Sequence, residues 1–195
     1  IPSDLYRFLD KVEGLVVLKV NGRAIPVTLD KGYVAVNREW RKGDVVDLSL
    51  PMPVRRVVSN DLVEADRGRV ALQRGPIVYC AEWPDNANGK VRNLMLPDSV
   101  PLRAEFRPDL LNGVEVVKGR AVALAYDAQG QIGSREQDFV AIPYYAWANR
   151  GRGQMMVWIP NTQAAARPLA FPTIATASKV TSSPGHSGMN VGNIN

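Results

Sequence analysis

Cys80 and Glu82 are the pair of side chains that could most directly do chemistry. They stand two positions apart in the run Ile77 to Glu82, whose composition predicts a strand, so both would project from one face. A thiol beside a carboxylate suggests a nucleophile with a neighbouring acid or base. A reactive thiolate, however, needs a cation, a metal or a helix N-terminus to lower its pKa, and Glu82 would raise it. We therefore predict that Cys80 is a buried structural residue, and a self-contained enzyme using Cys80 and Glu82 is the third hypothesis, behind two non-catalytic ones.

The rest of the chain offers little further catalytic chemistry. Cys80 is the single cysteine and His186 the single histidine, which excludes a disulfide within the chain and a zinc finger. His186 lies in a run of Pro, Gly and Ser with no second ligand nearby, so we expect it neither to bind a metal nor to serve in a Ser-His-Asp triad.

Two pairs of carboxylates have the spacing that invites comparison with a glycosidase. Glu64 with Asp66, and Glu136 with Asp138, could approximate two carboxyl groups about 5 to 9.5 Å apart. Arginines flank both pairs, with Arg135 beside the second. We predict solvated ion pairs at both places rather than catalysis.

The segment from Phe139 to Gly151 concentrates aromatic residues. An extended backbone would place Phe139, Tyr145 and Trp147 on one face, and the other, apolar face would hold Val140, Ile142, Tyr144, Ala146 and Ala148. That aromatic face could dock on another domain of the same protein or pack in a core, or it could stack on sugar rings while Asn149 and Arg150 donate hydrogen bonds. Because buried aromatic residues are usually structural, docking or core packing is our first expectation and sugar contact our second.

Composition and charge exclude several classes of protein. The 195 residues are 46% hydrophobic and 22% charged, which is typical of a globular chain and excludes a disordered tail. Charged residues interrupt every apolar run before the 18 to 20 or so residues of a membrane helix, so we expect no membrane insertion. The net charge is +5, but Lys and Arg alternate with carboxylates, so we expect no nucleic-acid partner.

Turn residues at short intervals predict an all-β chain. Asn21-Gly22, Lys31-Gly32 and Asn112-Gly113 separate runs rich in Val and Leu, a pattern typical of hairpins. Many short strands at regular spacing indicate an antiparallel β-sandwich, jelly-roll-like, rather than alternating helices and strands. The alternation over Val45 to Leu50 predicts a strand with one buried face, whereas Ser3 to Glu13 has helical spacing and predicts a helical turn.

Several stretches in combination resemble the C-terminal part of glycoside hydrolase family 127, whose members include β-L-arabinofuranosidases. The stretches that carry the resemblance are Val20-Asn-Gly-Arg, Leu29-Asp-Lys-Gly-Tyr-Val, Arg38-Glu-Trp-Arg-Lys-Gly-Asp, Leu50-Pro-Met-Pro-Val-Arg, Ala65-Asp-Arg-Gly-Arg-Val-Ala-Leu-Gln-Arg-Gly-Pro-Ile-Val-Tyr-Cys-Ala-Glu82 and Ile142-Pro-Tyr-Tyr-Ala-Trp-Ala-Asn-Arg-Gly151.

The resemblance implies a multidomain enzyme in which an (α/α)6 barrel precedes two β-sandwiches. Residues 1–60 would then be the C-terminal part of the first sandwich, 61–165 the complete second sandwich, and 166–195 a linker or the start of a further domain. The first sandwich would lack strands, which predicts an exposed sheet edge or intermolecular strand pairing in an isolated fragment. The resemblance implies two partners. One is the catalytic barrel of the same polypeptide, and the other is an arabinose-containing plant polysaccharide or glycan.

The chemistry that the resemblance implies belongs to the barrel. There a zinc-bound cysteine thiolate would be the nucleophile of a retaining mechanism and a glutamate the acid/base. The zinc site would take three cysteines and a glutamate, including an adjacent pair of cysteines. This chain has only Cys80 and departs from that motif, so we expect no catalytic residue, no metal ligand and no cofactor within it. The chain opens with Ile1, and we expect any targeting segment upstream of it. The location would be periplasmic or secreted if the parent protein degrades plant glycans.

The sequence thus leads to two main hypotheses. The first is a non-catalytic β-sandwich portion of a glycoside hydrolase, which packs on and supports the barrel. The alternative is a stand-alone carbohydrate-binding β-sandwich module.

Overall fold

Strands and tight turns form all the regular structure of the computed structural model, which describes residues 4–9 and 16–170. In chain order the strands are β1 (Tyr6–Phe8), β2 (Val17–Val20), β3 (Arg23–Ile25), β4 (Leu29–Asp30), β5 (Tyr33–Val34), β6 (Val46–Ser49), β7 (Val54–Ser59), β8 (Arg69–Arg74), β9 (Ile77–Glu82), β10 (Leu94–Met95), β11 (Arg103–Arg107), β12 (Val114–Tyr126), β13 (Ile132–Pro143), β14 (Met155–Met156) and β15 (Ile159–Pro160). Single 3-10 turns lie at Glu64–Asp66, Trp83–Asp85, Ala87–Gly89, Tyr144–Ala146 and Gln163–Ala165. No helix in these ranges is long and apolar enough to cross a membrane.

The large sheet contains ten strands and is built around one long hairpin. Its order is β1-β7-β8-β9-β13-β12-β10, with β11 beside β12, β14 beside β9 and β15 beside β8. β12 and β13 pair antiparallel from Val117 opposite Ala141 to Tyr126 opposite Ile132. All strand pairs among the described residues are antiparallel, so the predicted all-β, sandwich-like fold is confirmed.

The turn residues form hairpins where the sequence predicts them. Asn21 and Gly22 have φ of +50° and +77° and join β2 to β3, while Asn112 and Gly113 have φ of +65° and +94° and lead into β12. Asn and Gly tolerate these left-handed conformations, which match the twist of the flanking strands.

The large sheet buries apolar side chains in two clusters because neighbouring residues on a strand point to opposite faces. Tyr79, Ala81 and Phe139 belong to the larger cluster, and Cys80 and Ile142 to the smaller one. Full burial of one such large side chain contributes about 1.5–3 kcal/mol.

The small sheet, of order β3-β2-β6, has an apolar face that is only half covered. Leu18 lies opposite Leu48, and Val20 opposite Val46, so all four share this face. Leu18 and Val20 are buried, but Val46 is 51% exposed and Leu48 and Leu50 are each 58% exposed. The predicted burial of the Val46-Leu48-Leu50 face is therefore wrong for this chain, because alternation determines which side chains share a face and not whether that face is covered.

The helical turn predicted over Ser3 to Glu13 is also wrong where the structure describes it. Tyr6–Phe8 forms β1 and pairs antiparallel with β7, and Phe8 lies opposite Val57. The Arg55 guanidinium carbon lies 3.2 Å from the centre of the Phe8 ring. A helix this short is marginal without packing, whereas a sheet edge supplies hydrogen bonds at once. Ser3 and residues 10–13 lie outside the described residues.

The division predicted at residues 60 and 165 stays a prediction. β7 belongs to the large sheet and pairs with both β1 and β8. The predicted C-terminal segment 166–195 lies outside the described residues from 171 onward, and so does His186.

Candidate functional site

The aromatic segment changes direction where β13 ends. Pro143 is the last residue of the strand, and Tyr144–Ala146 forms a 3-10 turn. Proline has no N–H to donate to a neighbouring strand, so a strand end suits it. The extended backbone expected as far as Ala148 is therefore wrong beyond Pro143.

This change of direction separates the three aromatic residues that were predicted to share a face. Phe139 is completely buried in the larger core cluster, whereas Tyr145 and Trp147 are 68% and 41% exposed. Phe139 therefore cannot serve as a docking or sugar-contacting residue. Residues two positions apart lie on the same face only as long as the backbone remains a strand.

Tyr144 is the surface residue that the sequence interpretation missed. It is 45% exposed, and its ring stacks on Trp147 with centroids 5.8 Å apart and planes 16° apart. We call Tyr144, Tyr145 and Trp147 the aromatic turn. Pro143 was the sequence signal for this turn, because the strand ends there and the alternation of faces ends with it.

A largely buried charged network is attached to the backbone that follows the aromatic turn. Arg150 Nη1 donates to Asp85 Oδ1 at 2.7 Å, and Nη2 donates to Asp85 Oδ2 at 2.5 Å and to Glu82 Oε2. The Glu82 side chain is only 1% exposed. The hydrogen bonds with Asp85, followed by those with Glu82, raise the pKa of Arg150 despite its partial burial, so its charge is permanent.

The same network fixes the backbone of the turn. The Ala148 N–H donates to Glu82 Oε1 at 3.1 Å, and Ala148 has a φ of +68°, which is unfavourable for a residue with a Cβ. Asn149 Nδ2 donates to the carbonyl of Ala146 at 3.0 Å. Asn149 and Arg150 thus donate to groups of the protein, and the exposed chemistry of the turn is aromatic.

Cys80 lies in the smaller core cluster and is completely buried. Burial, followed by the charge of Glu82, raises the pKa of the thiol to about 12. Glu82 is engaged by Arg150 and Ala148, so it is not free to act as a base. The arrangement supports the structural interpretation of Cys80.

We expect Cys80 to resist a thiol-labelling reagent at pH 8 in the folded protein and to react stoichiometrically after unfolding. The buried neutral thiol has neither access nor thiolate character. Mass spectrometry of the labelled protein measures this, and the urea-unfolded protein is the control. Labelling of the native protein at the rate of the unfolded one would contradict the structure.

Three of these four carboxylates, Glu64, Glu136 and Asp138, form the predicted ion pairs. Glu64 lies 3.9 Å from Arg67, and Asp138 and Glu136 lie 2.6 Å and 3.8 Å from Arg120. The partner of the second pair is Arg120 rather than its sequence neighbour Arg135, because Arg120 lies directly opposite Asp138 in the hairpin. Within residues 4–9 and 16–170, no group of three or more His, Cys, Asp or Glu side chains could hold a metal ion.

Comparisons with known proteins agree with the sequence resemblance. Residues 54–160 match the model of the glycoside hydrolase family 127 C-terminal domain, and residues 11–52 match that of the GH127 middle domain of β-L-arabinofuranosidase. The chain is 37% identical over 161 residues to a non-reducing end β-L-arabinofuranosidase of Bifidobacterium longum subsp. longum. The match covers 74% of this chain and 24% of that protein.

Solved structures show the same relationship. A GH127 β-arabinofuranosidase superposes with a TM-score of 0.82 at 41% identity, over 87% of this chain and 26% of that one. A GH127 β-L-arabinofuranosidase from Geobacillus stearothermophilus T6 gives 0.69 at 41% identity, over 75% of this chain and 24% of that one. This chain therefore spans about a quarter of the length of these relatives.

Proposed function

Because the chain belongs to glycoside hydrolase family 127, we propose that it is the non-catalytic C-terminal β-sandwich portion of a β-L-arabinofuranosidase-like enzyme. Its role is to pack on and support an (α/α)6 catalytic barrel carried by the same polypeptide. The relatives support this proposal, since each has about three quarters of its length outside the region matched here.

The observation that carries the proposal is a rigidly held turn that presents aromatic rings to solvent. Tyr144, Tyr145 and Trp147 are all more than 40% exposed, and Arg150 and Glu82 fix the backbone beneath them. Exposing three neighbouring aromatic rings has no benefit for an isolated domain, but a fixed aromatic patch is typical of a contact surface. The half-covered face of the small sheet supports the same interpretation, because its exposed Val46, Leu48 and Leu50 need a covering partner.

Zinc belongs to the barrel in this proposal. The ligand set of the family resemblance requires three cysteines and a glutamate, and this chain has one cysteine, which lies in a core. The residues of the chain do not fit such a site. In this proposal the chain contributes to the reaction by supporting the domain that holds the metal.

The test is the double variant Tyr145→Ala/Trp147→Ala in the whole polypeptide that carries this chain. We expect the melting temperature of the variant to fall, because losing two interface aromatics typically costs about 2–4 kcal/mol. We also expect its hydrolysis of a small β-L-arabinofuranoside to be lost at a lower temperature than in the wild type. Tyr126→Ala is the control, since Tyr126 is 39% exposed at the far end of β12.

An unchanged melting temperature and activity in the Tyr145→Ala/Trp147→Ala variant, matching the Tyr126→Ala control, would contradict docking by the aromatic turn. The carbohydrate-binding alternative predicts a different result. It is favoured by the stacked, exposed Tyr144 and Trp147 rings, with an arabinose-containing plant glycan as ligand outside the cytoplasm. Retained sugar affinity after Trp147→Ala would count against it.

A further inference from the structure

A groove of about 540 Å³ crosses β11, β12 and β13. Its cationic walls are Arg103, Arg107, Lys118 and Arg120, and Asp85 and Asp138 lie among them. The volume falls within the range of small-molecule sites, about 300–1,000 Å³.

Carboxylates balance the cations of this groove. Lys118 Nζ donates to Glu105 Oε1 at 2.5 Å, and Arg120 Nη1 donates to Asp138 Oδ1 at 2.6 Å. The hydrogen bond with Lys118 lowers the pKa of Glu105, so the carboxylate stays ionised. Each ion pair still has unused donors and acceptors, because a guanidinium has five N–H groups, an ammonium three, and a carboxylate about four acceptor sites.

The floor of the groove is apolar and closely packed. Leu102 and Val140 contribute to it, and a Cβ on Gly119 would approach Leu102 Cδ2 to 2.7 Å and the Pro101 carbonyl oxygen to 3.2 Å. Glycine at this position therefore allows the chain before β11 to lie against β12 and to form one wall.

We propose that this groove binds a neutral oligosaccharide; this inference rests on the proposed function. A free anion would meet Asp138 and Asp85 in the lining and Glu105 beside Lys118, and a free cation would meet the arginines, so a charged ligand gains little. A neutral chain of hydroxyl groups can donate to the carboxylates and accept from the guanidinium groups at once. The apolar floor can contact the C–H faces of a sugar ring.

The test is affinity electrophoresis of the whole polypeptide in gels that contain debranched neutral arabinan. We expect the arabinan to retard the wild-type protein. We expect Arg103→Gln/Arg120→Gln to weaken binding at least tenfold, while turnover of a small chromogenic substrate stays unchanged. Both side chains are more than half exposed, at 74% and 52%, so their replacement does not threaten folding.

Arg135→Gln/Arg152→Gln is the matched control, because both arginines are exposed, lie outside the groove lining and change the net charge equally. It should be retarded like the wild type. A wild type that arabinan does not retard, or a groove variant retarded as strongly as the control, would overturn the proposal. Stronger retardation by polygalacturonate, abolished by about 0.5 M NaCl because salt screens contacts between charges, would instead indicate a site for anions and would overturn the proposal as well. None of these results changes the expected effect of the aromatic-turn variants on melting temperature, so the two proposals fail separately.

Discussion

Arg150→Met should lower the free energy of unfolding of this chain by about 3–5 kcal/mol, which is typical when one partner of a buried ion pair is removed. The substitution leaves Glu82 charged with a 1% exposed side chain, and it also removes both hydrogen bonds to Asp85. The backbone around Ala148 would lose the fixed carboxylate that accepts its N–H. Urea denaturation followed by circular dichroism measures the change.

Two further variants isolate the buried charge as the cause. Arg120→Met removes an arginine whose side chain is 52% exposed from its pairs with Asp138 and Glu136, and it should cost at most about 1 kcal/mol. Adding Glu82→Gln to Arg150→Met should recover part of the loss, because the unpaired charge is then gone. Equal costs for Arg150→Met and Arg120→Met would contradict the role of the network.

Phe139→Ala should cost about 3–5 kcal/mol, which is the usual effect of removing a buried phenylalanine from a core. Phe139 is completely buried in the larger cluster, opposite Gly119 in the β12–β13 hairpin. Tyr145→Ala, in the same segment, should change the stability of this chain by no more than about 0.5 kcal/mol, because its side chain is 68% exposed.

The contrast between Phe139→Ala and Tyr145→Ala tests the division of the aromatic segment at Pro143. Thermal unfolding of the two variants beside the wild type supplies the measurement. Similar losses from both substitutions would mean that Phe139 and Tyr145 share one environment, as an extended strand would require.

Local chemistry made much of the fold predictable. Asn-Gly pairs adopt the left-handed conformations that tight hairpins need, and Ile77–Glu82 has the composition of a strand and forms one. Such features depend on a few adjacent residues. The resemblance to glycoside hydrolase family 127 rested on several such stretches together, and the family models confirm it.

The features that could not be predicted depend on contacts between distant residues. Arg150 is 65 positions from Asp85 and 68 from Glu82, and no local pattern connects them. Tyr6–Phe8 has helical spacing but forms a strand, because it pairs with the edge of the sheet at β7. Leu48 had the alternation of a buried strand but remains exposed, because burial depends on what covers the face.

Hydroxyl-radical footprinting of the whole polypeptide that carries this chain, read at Tyr145 and Trp147, tests directly whether the aromatic turn docks on the catalytic barrel. Both residues are well exposed in this chain, at 68% and 41%. If the aromatic turn docks on the catalytic barrel, oxidation of both should be at least about fivefold slower in the native polypeptide than after urea denaturation, as expected for buried aromatic rings at an interface. Oxidation of Tyr145 and Trp147 in the native polypeptide at nearly the denatured rate would contradict docking of the aromatic turn on the barrel.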